Sequence, residues 1–282
     1  MHPEVFSLET TLACNLRCPE CAIGGGMIER KKGFLPFEKF KIVADKIRPF
    51  AKLFFLHIWG EPMLNKEIIP MVRYASQFCR TNISTNANML TPEKAEALIT
   101  SGVAEIIVSI DGVTQEVYQQ YRVGGDVSKA FAGLEMLNRL NREHRAGVHI
   151  LPQFIVFRHN QHEMRAFKER CAVLGLTPFF KAPYMRTKDS PFAYSDIPQL
   201  RRPHYPDLPA LKEAMRDCPN PRNVFTMLID GSVVACCHDY SKATNFGNIF
   251  EQDVMEIWNS PAFTAFRRNV RNGDTPAFCL DY

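Results

Sequence analysis

The chain has no run of about 18 apolar residues, the length a helix needs to cross a bilayer. Its first residues, MHPEVFSLETT, offer neither a basic stretch nor an apolar core, so they do not read as a secretory signal. Excess charge is also scarce. The 34 Lys and Arg against 30 Asp and Glu leave a formal net charge of +4, too little to call for nucleic acid. Low-complexity segments are missing, and so is any internal repeat beyond a simple β-α alternation. These absences point to a cytoplasmic protein without a membrane or nucleic-acid partner. The 282 residues, 46% of them hydrophobic, suffice for one large domain or one domain with a small appendage.

What the chain does have is nine cysteines. In a reducing compartment disulfides are disfavoured, and clustered cysteines more often hold metal. Cys79 and Cys171 stand alone in helical patterns and read as small buried hydrophobes. The other seven form two groups: Cys14, Cys18 and Cys21 near the start, and Cys218, Cys236, Cys237 and Cys279 near the end. The first group, spaced Cys-x3-Cys-x2-Cys, is one thiolate short of a closed site. Three thiolates can hold three irons of a [4Fe–4S] cube and leave the fourth iron open to a small ligand. A zinc site closed by a distant fourth ligand is the competing reading.

Strand-like and helical runs alternate along residues 5–182. The strands are VFSLETT, LFFLHIW, TNISTN, AEIIVSID, VHILPQFIVF and PFFKA, with helical patterns between them. Thr91 and Pro92 form a helix start, a cap followed by proline at the first position. About six β-α units predict a parallel sheet in a barrel or partial barrel, whose ligands sit at the C-terminal strand ends. The first cysteine group falls at such an end. Residues 183–209 are proline-rich without an apolar period and read as a crossing linker or lid. Residues 210–282 form a small module, with a hairpin turning at Asp230-Gly231 and two helical runs, VMEIW and PAFTAFRRNVRN.

The motifs CNLRCPEC, WGEP, STN and SIDG, each following a predicted strand, resemble those of the radical S-adenosylmethionine superfamily over roughly residues 5–182. The resemblance implies a partial (β/α)6 barrel and an open-site [4Fe–4S] cluster on Cys14, Cys18 and Cys21. It also implies S-adenosylmethionine as the cofactor and a 5′-deoxyadenosyl radical as the hydrogen abstractor. By the same matching, Gly60, Glu61 and Pro62 meet the methionine amino group, Ser84, Thr85 and Asn86 face the cofactor, and Ser109 and Asp111 contact ribose. A carboxylate such as Asp111 accepts hydrogen bonds from vicinal hydroxyls. The chain departs from the family at Glu20, where many members carry an aromatic or bulky apolar residue.

The C-terminal segment resembles the twitch or SPASM module, which binds auxiliary iron–sulfur clusters. Cys218, Cys236 and Cys279 match its ligands and imply an auxiliary [4Fe–4S] cluster. Its fourth thiolate is expected three residues after Cys279, where this chain has Tyr282, so Tyr282, Asp281, Cys237 and an open iron remain the options. Within the superfamily, the resemblance is to radical enzymes acting on aminocyclitol and aminoglycoside-like alcohols in antibiotic biosynthesis. It implies hydrogen abstraction from a carbinol carbon of a small polyol or sugar, with a flavodoxin- or ferredoxin-type electron donor. Cys237 as hydrogen donor would give epimerisation, the preferred outcome; oxidation to a ketone is the alternative. Glu20, Arg122, Arg158, His159, Asp239 and Tyr240 are polar candidates near the loop mouths, and His238 reads as structural. Peptide modification is a third reading, weighed against by the lack of a leader-binding segment before the barrel. A non-catalytic metal or electron-transfer protein is a fourth, though it would need no cofactor motifs on three further strands.

Overall fold

The computed structural model describes residues 2–186, 190–201 and 208–279. The barrel part runs β1 (Val5–Leu8), α1 (Phe37–Ile47), β2 (Leu53–Phe55), α2 (Ile68–Ala75), β3 (Arg80–Thr85), α3 (Pro92–Ile99), β4 (Glu105–Ser109), α4 (Gln115–Tyr121), α5 (Val127–Glu143), β5 (His149–Ile155), α6 (Met164–Val173) and β6 (Phe179–Lys181). The C-terminal part adds α7 (Leu208–Met215), α8 (Asn220–Asn223), β7 (Val224–Met227), β8 (Val233–Val234), α9 (Val254–Trp258) and α10 (Pro261–Arg271). All eight strands share one sheet, ordered β6-β5-β4-β3-β2-β1-β7-β8.

The crossover helices are set by their apolar stripes. In α1, Phe40, Val43, Ala44 and Ile47 are buried at helical spacing. In α5, Val127, Ala130, Phe131, Leu134 and Leu137 do the same. Caps fix the starts: the Thr91 hydroxyl accepts from Lys94 N–H at the head of α3, and Asp126 accepts from Ser128 and Lys129 at the head of α5. Phe6, Phe54 and Phe154 are fully buried between sheet and helices.

Two points differ from the sequence reading. β2 stops at Phe55, well short of Trp59, because the chain turns at Gly60 and a 3₁₀ turn over Pro62–Leu64. The C-terminal module is also more than an appendage. Its strand β7 pairs in parallel with β1, from Val5↔Val224 to Leu8↔Met227, and extends the barrel sheet. The hairpin itself is as expected, with β8 antiparallel to β7 and Gly231 at φ +84° in the turn. The Lys46 ammonium of α1 donates to the carbonyls of Ile249 (3.0 Å) and Gln252 (2.8 Å), tying barrel to module. Linker residue Phe192 packs on Tyr121, Phe157 and His159. The rest of the linker reading falls partly on residues 187–189 and 202–207, outside the described residues.

Candidate functional site

The loops after β1, β2 and β3 are knitted together by hydrogen bonds. Glu61 N–H donates to the Ala13 carbonyl (2.8 Å). The Glu61 carboxylate accepts from Met63 N–H (3.1 Å), the Thr85 hydroxyl (2.8 Å) and Asn86 N–H (2.7 Å). Burial pushes the Glu61 pKa up, opposed by these three donors. The Asn86 amide donates to the Asn15 side chain (2.9 Å) and lies 4.0 Å from Cys14 Sγ. Gly60 sits at φ +91°, and a Cβ there would lie 2.4 Å from the Thr11 carbonyl oxygen, so only glycine fits. Gly24 is as restrictive, with the Cys18 backbone 2.4 Å from where its Cβ would be.

These loops rim a cavity of about 530 Å³. Cys14, Cys18 and Cys21 line it, as do Gly60, Glu61, Ser84, Thr85, Asn86 and Ser109. Cys236, Cys237 and His238 line the same cavity, so both cysteine groups contribute to one space, the second through Cys236 and Cys237 alone. Burial pushes the Cys14 thiol up to about 11 and the Cys18 thiol up to about 12. Neighbouring desolvated thiols are poor anions until a cation compensates them, which is what an iron cluster provides. Among the described residues no three His, Cys, Asp or Glu side chains gather tightly enough to enclose a single metal ion. A cubane is less demanding, since each thiolate takes its own iron corner. The donor set thus fits such a cluster.

Asp111 does not reach the cavity. It is fully buried, and its carboxylate accepts from Arg122 Nε (2.6 Å) and Ile155 N–H (2.6 Å). The carboxylate expected to contact ribose is thus engaged in a buried ion pair. Burial pushes the Asp111 pKa up while the Arg122 charge opposes. Burial also works against the Arg122 charge, but Asp111 and then Cys18 outweigh it and raise its pKa. Arg122 does line the cavity, with Nη1 4.0 Å from Cys18 Sγ. Pro62 heads its 3₁₀ turn outside the lining.

Of the other polar candidates, Glu20 lines the cavity and is buried. Its carboxylate accepts from Arg186 N–H at 2.5 Å. The Arg186 guanidinium stands over the rings of Trp59 (4.8 Å), Tyr184 (5.5 Å) and Tyr240 (5.5 Å), so linker, barrel and module meet there. Arg158 pairs with Asp196 at the surface. His159 lies in the Phe157–Phe192 cluster. Asp239 caps its own turn through Ala243 and Thr244. None of these three lines the cavity. His57, Trp59, Lys181, Arg186 and Thr226 do line it and were missed. Strand alternation carried a signal for Thr226, whose register partner Ser7 faces the cavity as well.

In the module, Cys236 is buried, and Cys237, Cys279 and Cys218 all bear on its pKa after the dominant effect of burial, which raises it. Cys237 is the exposed one, and what it is exposed to includes the cavity. Surrounding protein pushes its pKa up, against Arg186 and Lys181. Asp281 and Tyr282, options for the fourth ligand, lie outside the described residues. Cys171 is buried in the core as expected, whereas Cys79 is half-buried against it.

The radical SAM superfamily model matches residues 8–166, and the SPASM model, described as an iron–sulfur cluster-binding domain, matches residues 218–281. The chain belongs to the radical SAM superfamily, whose members use an iron–sulfur cluster with S-adenosylmethionine, and it carries a SPASM domain at its C-terminus. Among individual relatives, the S-adenosyl-L-methionine-dependent 2-deoxy-scyllo-inosamine dehydrogenase of Niallia circulans is 22% identical over 95% of this chain and 87% of its own length. An AdoMet-dependent heme synthase of Methanosarcina barkeri is 30% identical over 49% of this chain, and the chain spans only 40% of that relative. The crystal structure of BtrN with AdoMet and 2-DOIA superposes with a TM-score of 0.63 and 20% identity over 97% of this chain and 89% of that one. Streptococcus suis SuiB bound to S-adenosylmethionine gives 0.70 at 14% identity, covering 94% of this chain and 68% of SuiB. The partial-barrel reading and the cofactor class therefore hold. No helix among the described residues is long and apolar enough to cross a membrane.

Proposed function

We propose that this enzyme abstracts a hydrogen atom from a carbinol carbon of a sugar- or aminocyclitol-type substrate, and that Cys237 returns a hydrogen to the opposite face to give the epimer. The observation that carries the reading is the placement of the Cys237 thiol on the same cavity as Cys14, Cys18 and Cys21. Those three residues would hold the open-site cluster; Cys218, Cys236 and Cys279 would hold the second. Once bound, the first cluster and S-adenosylmethionine supply the 5′-deoxyadenosyl radical. Gly60, Glu61, Ser84, Thr85, Asn86 and Ser109 shape the cofactor's wall, and Arg122 offers it a fixed positive charge. A substrate carbon radical accepts hydrogen from either face, so the position of the donor sets the stereochemistry. Donation leaves Cys237 a thiyl radical. One electron from a flavodoxin- or ferredoxin-type protein and one proton from solvent restore the thiol, and the substrate has gained no net oxidation.

A second reading is supported by the relative that matches along nearly the whole chain, itself a dehydrogenase. There the substrate loses a hydroxyl proton as well, one electron passes to the second cluster, and a ketone results. One experiment decides. With the reconstituted enzyme and an aminocyclitol in deuterium oxide, epimerisation places one deuterium at the inverted carbon, because thiols exchange with solvent. Cys237→Ala should then still form 5′-deoxyadenosine but no epimer. A ketone product makes the enzyme a dehydrogenase, and an epimer formed at the normal rate by Cys237→Ala makes Cys237 structural.

A further inference from the structure

Two buried polar atoms at the inner side of the cavity have no partner. Thr226 on β7 is 1% exposed, lines the cavity, and its hydroxyl makes no hydrogen bond. His57, just past β2, also lines the cavity, and its Nδ1 is sealed from solvent without a partner. The nearby Asn82 carbonyl already accepts from Leu56 N–H at 3.0 Å. It favours a proton on the imidazole, against the effect of burial, but does not meet hydrogen-bond geometry with Nδ1. That leaves Nε2 as the ring nitrogen open to the cavity. Orphaned polar atoms inside a protein are rare enough to need a reason; for the Thr226 hydroxyl, which lines a pocket, a ligand that completes it is the usual one, and the imidazole can meet the same ligand through Nε2.

The two residues flank β1, which lies between β2 and β7 in the sheet. Ser7 of β1, the register partner of Thr226, lines the cavity between them. Three polar side chains thus span two strand spacings, about 10 Å. A hydroxyl both donates and accepts, and a neutral imidazole offers one of each, so the set is complementary to the hydroxyls of a polyol. The charge of the site favours a neutral group. Burial first, and the Lys181 ammonium as well, push the His57 pKa down to about 4, and the same Lys181 charge would disfavour a substrate ammonium here.

We propose that Thr226 and His57, with Ser7 between them, form a hydroxyl-binding subsite that takes a non-reacting hydroxyl of the substrate ring. The subsite rests on the polyol reading above and deepens it. In an aminocyclitol, the amino group must then point away from this wall.

The probe is scyllo-inositol, a neutral ring with a hydroxyl on every carbon, titrated calorimetrically into the anaerobically reconstituted protein with S-adenosylmethionine. Wild type should bind it. Thr226→Val should weaken binding about 3- to 10-fold, the size of one lost hydrogen bond, and His57→Phe should do the same. Thr226→Val should melt no lower than wild type, because a methyl replaces a buried unpaired hydroxyl. Thr226→Ser, which keeps the hydroxyl, should bind within about twofold of wild type. If Thr226→Val binds as wild type, or Thr226→Ser loses as much as Thr226→Val, the subsite is wrong. 5′-Deoxyadenosine formation separates the two levels of failure. Stimulation by scyllo-inositol that is equal in wild type and Thr226→Val keeps the polyol reading and overturns the subsite. No binding and no stimulation in wild type overturns both.

Discussion

Replacing Asp111 with alanine should destabilise the protein more than any other single change near the cavity. The carboxylate is fully buried, and the Arg122 side chain is only 12% exposed. Removing one partner of such a pair leaves the other charge uncompensated, at about 3–5 kcal/mol. The alanine also orphans the Ile155 N–H, which now donates to Asp111 at 2.6 Å. Cys18 Sγ, 4.0 Å from the guanidinium, is too far to compensate in the metal-free protein. At a few degrees per kcal/mol for a chain of this size, the melting temperature should fall by roughly 10 °C. Asp111→Asn keeps the shape and an acceptor for Ile155 and should lose about half as much. The assay is anaerobic urea unfolding of the cluster-free protein for wild type, both variants, Arg122→Met and Asp111→Ala/Arg122→Met. In the double variant no buried charge is stranded, so its loss should be smaller than the sum of the single losses. A loss below about 1 kcal/mol in Asp111→Ala, or strict additivity in the cycle, would refute the buried pair. An Asp111→Asn variant of undiminished stability with weakened S-adenosylmethionine binding would restore the ribose role predicted from sequence.

Alanine at Cys14, Cys18 and Cys21 together should abolish 5′-deoxyadenosine formation yet leave about four irons and a visible charge-transfer band on the module, against about eight irons in wild type; a colourless, iron-free variant would remove the second cluster. The His57 pKa is depressed in the folded state, so its contribution to stability is present above its ordinary value of 6.5 and is lost as pH falls toward about 4. Wild type should therefore lose at most about 2 kcal/mol more than His57→Phe between pH 7 and 5, and parallel stability curves would mean that the imidazole is already solvated. Glu9 is fully buried and accepts from both Arg30 Nη atoms (2.7 and 2.8 Å) and from Ile229 N–H (3.1 Å). Glu9→Ala should thus cost about 3 kcal/mol and raise the ratio of 5′-deoxyadenosine to product; an unchanged ratio would mean that the module needs no such tether.

Much of the barrel was legible because its signals are local. Each crossover helix carries its own apolar stripe, and Thr91 caps the start of α3 where the sequence placed it. The cluster loop was legible for the same reason, since three cysteines in eight residues need no tertiary knowledge to be noticed. Long-range partnership was not legible. Nothing adjacent to Asp111 in sequence says that Arg122, one helix later, will occupy its carboxylate. His57 sits in an apolar run, LFFLHIW, that reads as a buried strand; only the early end of β2 turns it into a cavity residue. Arg186 lies in a segment without periodicity, and its role appears only when Trp59, Tyr184 and Tyr240 close around it from three parts of the chain.

The pairing of β7 with β1 explains how Cys236 and Cys237 come to line one cavity with Cys14, Cys18 and Cys21, more than 200 residues earlier. The loop bearing Cys14, Cys18 and Cys21 leaves the C-terminal end of β1, while the hairpin turns beyond the C-terminal end of β7 and β8, antiparallel to it, carries the chain back along β7 to Cys236 and Cys237. Because β1 and β7 are parallel and in register, and β8 pairs with β7, the two segments are fixed to one backbone ladder. The ladder continues one step past the strands, where Glu9 N–H donates to the Met227 carbonyl at 2.9 Å. Glu9 then reaches across to Ile229 while holding Arg30 from the loop that follows the cysteines. An appended domain on a flexible linker would let the Cys237 thiol wander relative to the cofactor wall. A backbone ladder does not, since moving one strand end means breaking several hydrogen bonds at once. A hydrogen donor that must act on one face of a short-lived radical needs that rigidity, and so does a cluster that must accept an electron from it. The sheet thus supplies the positional control that both proposed outcomes require, and the identity of the residue at position 237 is left to decide between them.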